Sequence, residues 1–173
     1  MNETLRVLRE RRSVRKYKAE QIHEEELEAI LEAGTWAPSG MNFQTAVMVV
    51  VQDAETIAFL SALNAEIMGK PDADPFYGAP TVVVVLADDS KPNWLKDGSL
   101  VMGNLMNAAA SLGVASCWIN RAEELFARPE GKELLRKWGL PETLRGVGNC
   151  ILGYADGPVP EAKPRKDGYI VRV

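Results

Sequence analysis

Apolar residues recur along the chain with two spacings, and the switches between them predict the elements. Leu5 and Leu8 stand at helical spacing within Thr4–Glu10, with Thr4 placed as a cap, and the pattern stops near Arg11. A second helix is predicted from His23 to Ala33 on Leu27, Ile30 and Leu31. Three glutamates fill its first turn, where the helix dipole favours negative charge, and Gly34 ends it. Trp36–Gln44 carries Pro, Ser, Gly and Asn and reads as a loop. Ala46–Val51 is a short valine-rich run, the pattern of a buried strand. Asp53 is placed to cap a third helix that runs to about Leu63. From Met68 to Ala79, Gly69, Pro71, Pro75 and Gly78 predict an irregular excursion, of a length at which loops often bind ligands or act as lids.

Thr81–Ala87 is the strongest strand, apolar on both faces and therefore central in its sheet. Leu100–Leu112 reads as a long helix whose Gly103, Ala108, Ala109, Ala110 and Ser111 let a flat group or a second helix approach. Cys117–Ile119 and Cys150–Leu152 are two more strands, separated by a helix at about Lys132–Trp138 that ends at Gly139. Tyr169–Val173 reads as a last strand, free to add to the edge of its own sheet or of a partner's. This order predicts an α+β or α/β fold, one domain over residues 1–173, with a central sheet covered by helices on both faces.

Composition narrows the function. At 46% hydrophobic and 25% charged the chain has the make-up of a globular protein. No apolar stretch reaches the roughly 18 residues of a membrane span. Its first residues run into a charged amphipathic segment rather than a secretory leader, so a cytoplasmic location is expected. Cys117 and Cys150 sit in apolar runs as buried, reduced thiols, and no metal-ligand spacing is present. His23, the single histidine, lies in a charged segment and reads as solvated. A pocket without histidine or thiol machinery draws its reactivity from an organic cofactor.

Charge adds a location. Residues 1–18 balance to +5 and residues 161–173 to +2, leaving −11 on the middle of a chain whose net charge is −4. That distribution argues against a nucleic-acid surface, which needs a broad basic face, and suits a compact anion held between the two chain ends. In Arg11-Arg12-Ser13-Val14-Arg15, extended alternation puts Arg11, Ser13, Arg15 and Tyr17 on one side and Arg12, Val14 and Lys16 on the other. Two guanidinium forks and a hydroxyl on one side match a phosphate monoester.

Taken together, the motifs resemble those of the nitroreductase family of FMN enzymes. Arg-Arg-Ser-x-Arg-x-Tyr comes first, then Ala-Pro-Ser-Gly-x-Asn-x-Gln from Ala37 to Gln44 ahead of a valine strand. A small-residue helix leads to Leu112-Gly113 and Ser116-Cys117-Trp118-Ile119-Asn120, followed by Leu152-Gly153-Tyr154-Ala155 and Lys163-Pro164-Arg165. The resemblance implies an α+β sandwich with a central mixed sheet, assembled as a domain-swapped homodimer with FMN at the subunit interface. It implies that Arg11, Ser13 and Arg15 contact the phosphate and ribityl chain, and that Arg12 lies by the pyrimidine edge of the ring. Pro38, Ser39, Gly40, Asn42 and Gln44 resemble the loop that reaches the flavin of the partner subunit. Trp118, Ile119 and Asn120 match the strand end near flavin N5 and O4, and Lys163 and Arg165 look like the closing phosphate ligands.

The implied activity is transfer of hydride from NAD(P)H through FMN to a nitroaromatic, quinone or similar acceptor, with flavin N5 carrying the chemistry and no catalytic side chain. Dehalogenation, dehydrogenation, flavin fragmentation and flavin binding without turnover are the alternatives on the same fold. A protein that binds no flavin and meets phosphate only incidentally is a further one. FMN needs Arg or Ser donors for its phosphate, Asn or Gln for its ribityl chain and a smooth small-residue surface for its ring, and the chain supplies all three. Trp36, Phe43, Phe76, Tyr77 and Trp94 are candidates for stacking on an aromatic substrate. Two departures stand out: the segment between Leu63 and Pro80 is compact, and Asn120-Arg121 replaces the Glu-Gly found in some members.

Overall fold

A computed structural model describes residues 1–173. The chain opens with α1 (Glu3–Glu10), capped by Asn2, whose Oδ1 accepts the Leu5 N–H at 3.0 Å; the cap is not Thr4. Only Val7 of this helix is buried, and the predicted apolar pair Leu5 and Leu8 faces outward. α2 (Glu24–Thr35) runs two residues past the predicted last residue, Ala33. Gly34 lies inside it because a Cβ there would meet Met48 Sδ at 2.7 Å, so the glycine serves close packing rather than termination. β1 (Ala46–Val51) is an edge strand, half-buried rather than covered on both faces. α3 (Ala54–Ile67) begins at the Asp53 cap, which accepts from the Thr56 N–H at 2.8 Å. The irregular stretch that follows is pinned down. Asp74 accepts from Ser61 Oγ and from the N–H groups of Phe76 and Gly78, while Phe76 plugs the core, which removes it as a stacking candidate.

β2 (Thr81–Asp88) is central and almost wholly buried, as its pattern demands. α4 (Trp94–Ser111) starts about two turns earlier than the periodicity indicates. β3 (Ala115–Ile119) follows, then α5 (Ala122–Ala127), whose six residues are too few to show a period, and α6 (Pro129–Lys137). β4 (Leu144–Gly153) is far longer than the apolar run Cys150–Leu152, because glycines and Asn149 interrupt its hydrophobic signal.

The strands stand in the order β1-β2-β4-β3 and every ladder is antiparallel. The mixed sheet that the resemblance implies reduces within this chain to one parallel bridge, Ser13 to Ser116. β2 feeds two cores. Val82, Val84 and Leu86 pack with α3 and α5, while Val83, Val85 and Ala87 pack with α2 and α4. The predicted last strand, Tyr169–Val173, pairs with nothing in its own chain; Tyr169, Ile170 and Val171 are 70%, 77% and 78% exposed. No helix is long and apolar enough to cross a membrane.

Candidate functional site

After α1 the chain crosses to the β3 edge. The Val14 N–H donates to Ser116 O at 3.1 Å and the Lys18 N–H to Tyr154 O at 2.9 Å. Between those anchors the buried positions are Val14 and Tyr17, three residues apart, so the simple alternation of the sequence reading fails. Tyr17 does not share a side with the arginines. Its hydroxyl donates to Val14 O at 2.8 Å, and burial holds the phenol well above its ordinary pKa.

The side-chain hydrogen bonds of the protein do not include the Arg11 guanidinium, whose Nη1 is buried with no partner. Arg12 turns back on α1, where Nη1 donates to the carbonyls of Arg9 at 2.7 Å and Arg11 at 2.6 Å, satisfying orphan groups at the helix end. Arg11 and Arg12 line a cavity of about 670 Å³ together with Arg9, Lys163 and Arg165, and no carboxylate lines it. Five cations from opposite ends of the chain thus converge on one space, a local excess of positive charge that an anion neutralises. Neither Ser13, on the bridge to Ser116, nor Arg15, exposed on the same segment, lines this cavity.

The Pro38–Gln44 loop is built elsewhere. Gly40–Asn42 forms one 3₁₀ turn, and Met41, Asn42 and Gln44 take φ values of 51°, 56° and 49°. Ser39 Oγ accepts the Gln44 N–H at 3.1 Å, and Asn42 Oδ1 accepts from the Gln44 amide at 3.0 Å. Pro38, Ser39 and Gln44 line a separate cavity of about 160 Å³, so within one chain the loop and the cationic cavity do not meet. Trp36 and Met41 project outward at 79% and 87% exposure. At the end of β3, Ile119 is buried and Trp118 half-buried, with its indole N–H unpartnered. Asn120 is exposed, and its carbonyl accepts from Asn64 Nδ2 at 2.8 Å.

The Nitroreductase family profile matches residues 8–154. The chain belongs to the nitroreductase family. A crystal structure of a nitroreductase with bound FMN from Bacteroides fragilis superposes on it with a TM-score of 0.92 at 34% identity, covering 100% of both chains. A second, from Desulfitobacterium hafniense and also with bound FMN, gives a TM-score of 0.89 at 32% identity over 100% of this chain and 99% of that one. A protein of Archaeoglobus fulgidus provisionally named NADH dehydrogenase/NAD(P)H nitroreductase is 32% identical, over 98% of this chain and 91% of its own length.

Against that family background, the strand end carries a feature that a residue count alone does not reveal. Arg121 adopts φ 74°, the left-handed region where glycine is unstrained, and its Nε donates to Asn64 Oδ1 at 2.8 Å. Asn64, fully buried on α3, therefore ties the Asn120 carbonyl and the Arg121 side chain to one point. The sequence reading of this nitroreductase passed over Asn64, Arg9 and Asp97. A signal existed for two of them. Asn64 follows Leu60 by four residues, and Asp97 precedes Val101 and Leu105 by four and eight, so each puts a polar group on the buried face of its helix.

Proposed function

We propose that this protein is an FMN-dependent oxidoreductase that takes hydride from NAD(P)H and delivers electrons to a nitroaromatic, quinone or similar acceptor. The observation that carries the reading is the cavity in which Arg9, Arg11, Arg12, Lys163 and Arg165 meet without a carboxylate. The residues fit a phosphate monoester: Arg11 Nη1 is a buried donor lacking any acceptor, and phosphate oxygens supply one. Arg11, Arg15, Lys163 and Arg165 hold the phosphate, Ser13 adds a hydroxyl donor toward the ribityl chain, and Arg12 stands nearest the ring. Bound FMN supplies the hydride and electron chemistry, and relatives of this fold crystallised with FMN support that assignment.

The protein's own share is binding, orientation and exclusion of water. Asn64 holds the β3 end rigid, so the backbone of Trp118, Ile119 and Asn120 presents fixed donors and acceptors to the ring. The site is completed by a second copy. Pro38, Ser39, Gly40, Asn42 and Gln44 lie on a loop separate from the cationic cavity of their own chain, so they serve the FMN of the partner subunit. Apolar groups left outward by this chain supply the contact: Leu5 and Leu8 on α1, Trp36 and Met41 near the loop, Leu100 on α4, and Ile170 and Val171 at the C-terminus. The whole of residues 1–173 acts as one FMN-binding domain. Two buried free thiols agree with a reducing, cytoplasmic setting.

The test is direct. Purified protein is yellow or quenches the fluorescence of added FMN, NADH or NADPH bleaches the flavin band, and a quinone or nitroaromatic restores it. Protein that neither carries nor binds FMN sinks the proposal, and flavin that neither nicotinamide reduces sinks the reductase reading.

A further inference from the structure

The Pro38–Gln44 loop is strained. Met41, Asn42 and Gln44 are three non-glycine residues in the left-handed region within four positions, where a Cβ crowds the following carbonyl and each residue is strained, Asn least. Such a shape persists only if the surroundings hold it. Inside the loop the hold is slight: Ser39 Oγ with the Gln44 N–H, and the Asn42 side chain with the Gln44 amide. Both bonds are exposed and compete with water.

The firm attachment comes from α4. Asp97 is 5% exposed, and its Oδ1 accepts the Gly40 N–H at 3.0 Å across 57 residues of sequence. Beneath the same glycine lies Asn93: a Cβ on Gly40 would come within 2.6 Å of Asn93 Nδ2. The loop is thus seated on the first turn of α4 by one buried carboxylate and one close backbone approach. Asp97 Oδ2 has no partner, and neither has the buried Thr45 Oγ1, which lines the same small cavity. A buried carboxylate with a single hydrogen bond is costly as a structural element alone. Its placement is explained by the amide it fixes.

We propose that Asp97 is a positioning residue for the cofactor, acting through the Gly40 amide to hold Ser39, Asn42 and Gln44 in the one shape that meets the partner's flavin. The inference rests on the reading that this loop reaches FMN across the dimer. Asp97 touches no cofactor itself. Its effect on binding arises because a released loop relaxes its left-handed residues and must be re-ordered each time FMN binds.

The experiment compares Asp97→Ala and Asp97→Asn in the full-length dimer, reading the FMN dissociation constant by fluorescence quenching and the hydrogen exchange of the peptide covering residues 36–45. Asn retains an acceptor for the Gly40 N–H and Ala does not. Asp97→Ala is expected to weaken FMN by about tenfold or more and to speed exchange in that peptide alone, with Asp97→Asn within about threefold of the parent. Should Asp97→Ala not fold, Asp97→Glu replaces it, since one added methylene displaces the acceptor while keeping the charge; it is expected to weaken FMN as Ala does. Wild-type FMN affinity in Asp97→Ala, or in Asp97→Glu where that stands in, overturns the proposal. Asp97→Asn binding as poorly as either overturns it too, because charge would then matter rather than the acceptor. Failure of the unaltered protein to bind FMN overturns instead the functional reading beneath it.

Discussion

Replacing Arg11 with alanine separates a ligand anchor from a structural arginine. The Arg11 guanidinium takes no part in the protein's side-chain hydrogen bonds, and Nη1 is buried without an acceptor. Deleting it therefore forfeits no internal bond and removes a desolvated donor, so the flavin-free protein is expected to unfold within about 0.5 kcal/mol of the parent, or later. The loaded protein behaves differently. A hydrogen bond to a charged group contributes about 1.5–3 kcal/mol, which is a loss of about 10- to 150-fold in FMN affinity. Fluorescence titration with FMN gives the second quantity and urea denaturation of the flavin-free protein gives the first. The affinity difference should also shrink as salt is raised, since charged contacts are screened. Unchanged FMN affinity refutes the anchor. So does an affinity loss matched by destabilisation of the flavin-free protein above about 1.5 kcal/mol, which would make Arg11 structural.

Deleting residues 167–173 removes Tyr169, Ile170 and Val171, which are largely exposed although Tyr169 and Ile170 also line the cationic cavity; sedimentation should show a shift toward monomer, and an unaltered dimer would contradict the partner role. Arg121→Ala leaves Asn64 Oδ1 buried without its donor and should cost about 1–3 kcal/mol in urea unfolding, whereas Arg121→Gly recovers roughly 1 kcal/mol by relieving the left-handed strain. Glycine no better than alanine would show that the strain is absent. Burial pushes the Cys150 thiol from 9.0 up to about 12, so the unfolded chain ionises first as pH rises. The Cys150 contribution to stability should be constant below pH 9 and fall between pH 9 and about 12, by at most about 1.4 kcal/mol per pH unit, with buried Tyr17 adding to the fall above pH 10, and the native thiol should resist alkylation at pH 8.

Much of the fold was readable from local pattern. The valine run of β2, the acidic first turn of α2 and the Asp53 cap each act over a few residues, and each stands where periodicity and capping place it. Three of the misreadings share one cause, which is that the deciding contact lay far off in sequence. Gly34 looked like a helix stop, yet its neighbours are Met48 and Leu105. Tyr17 looked aligned with the arginines until the bridge of its segment to Ala155 turned it inward. β4 seemed short because burial against the flanking elements, rather than its own hydrophobicity, keeps its glycines in the sheet.

The candidate site divides along the same line. By itself the sequence determined which residue types are present and where charge accumulates, and so it pointed to Arg11–Arg15 and to Lys163 and Arg165 as groups for an anion. Only tertiary structure decided that the two ends, some 150 residues apart, close on one cavity. It alone placed Asp97 beneath Gly40 and Asn64 beneath the β3 end. Hydrophobic period and charge are local properties of a chain. Burial, strain and the pairing of polar atoms depend on which distant elements pack together, and no window of sequence contains that information.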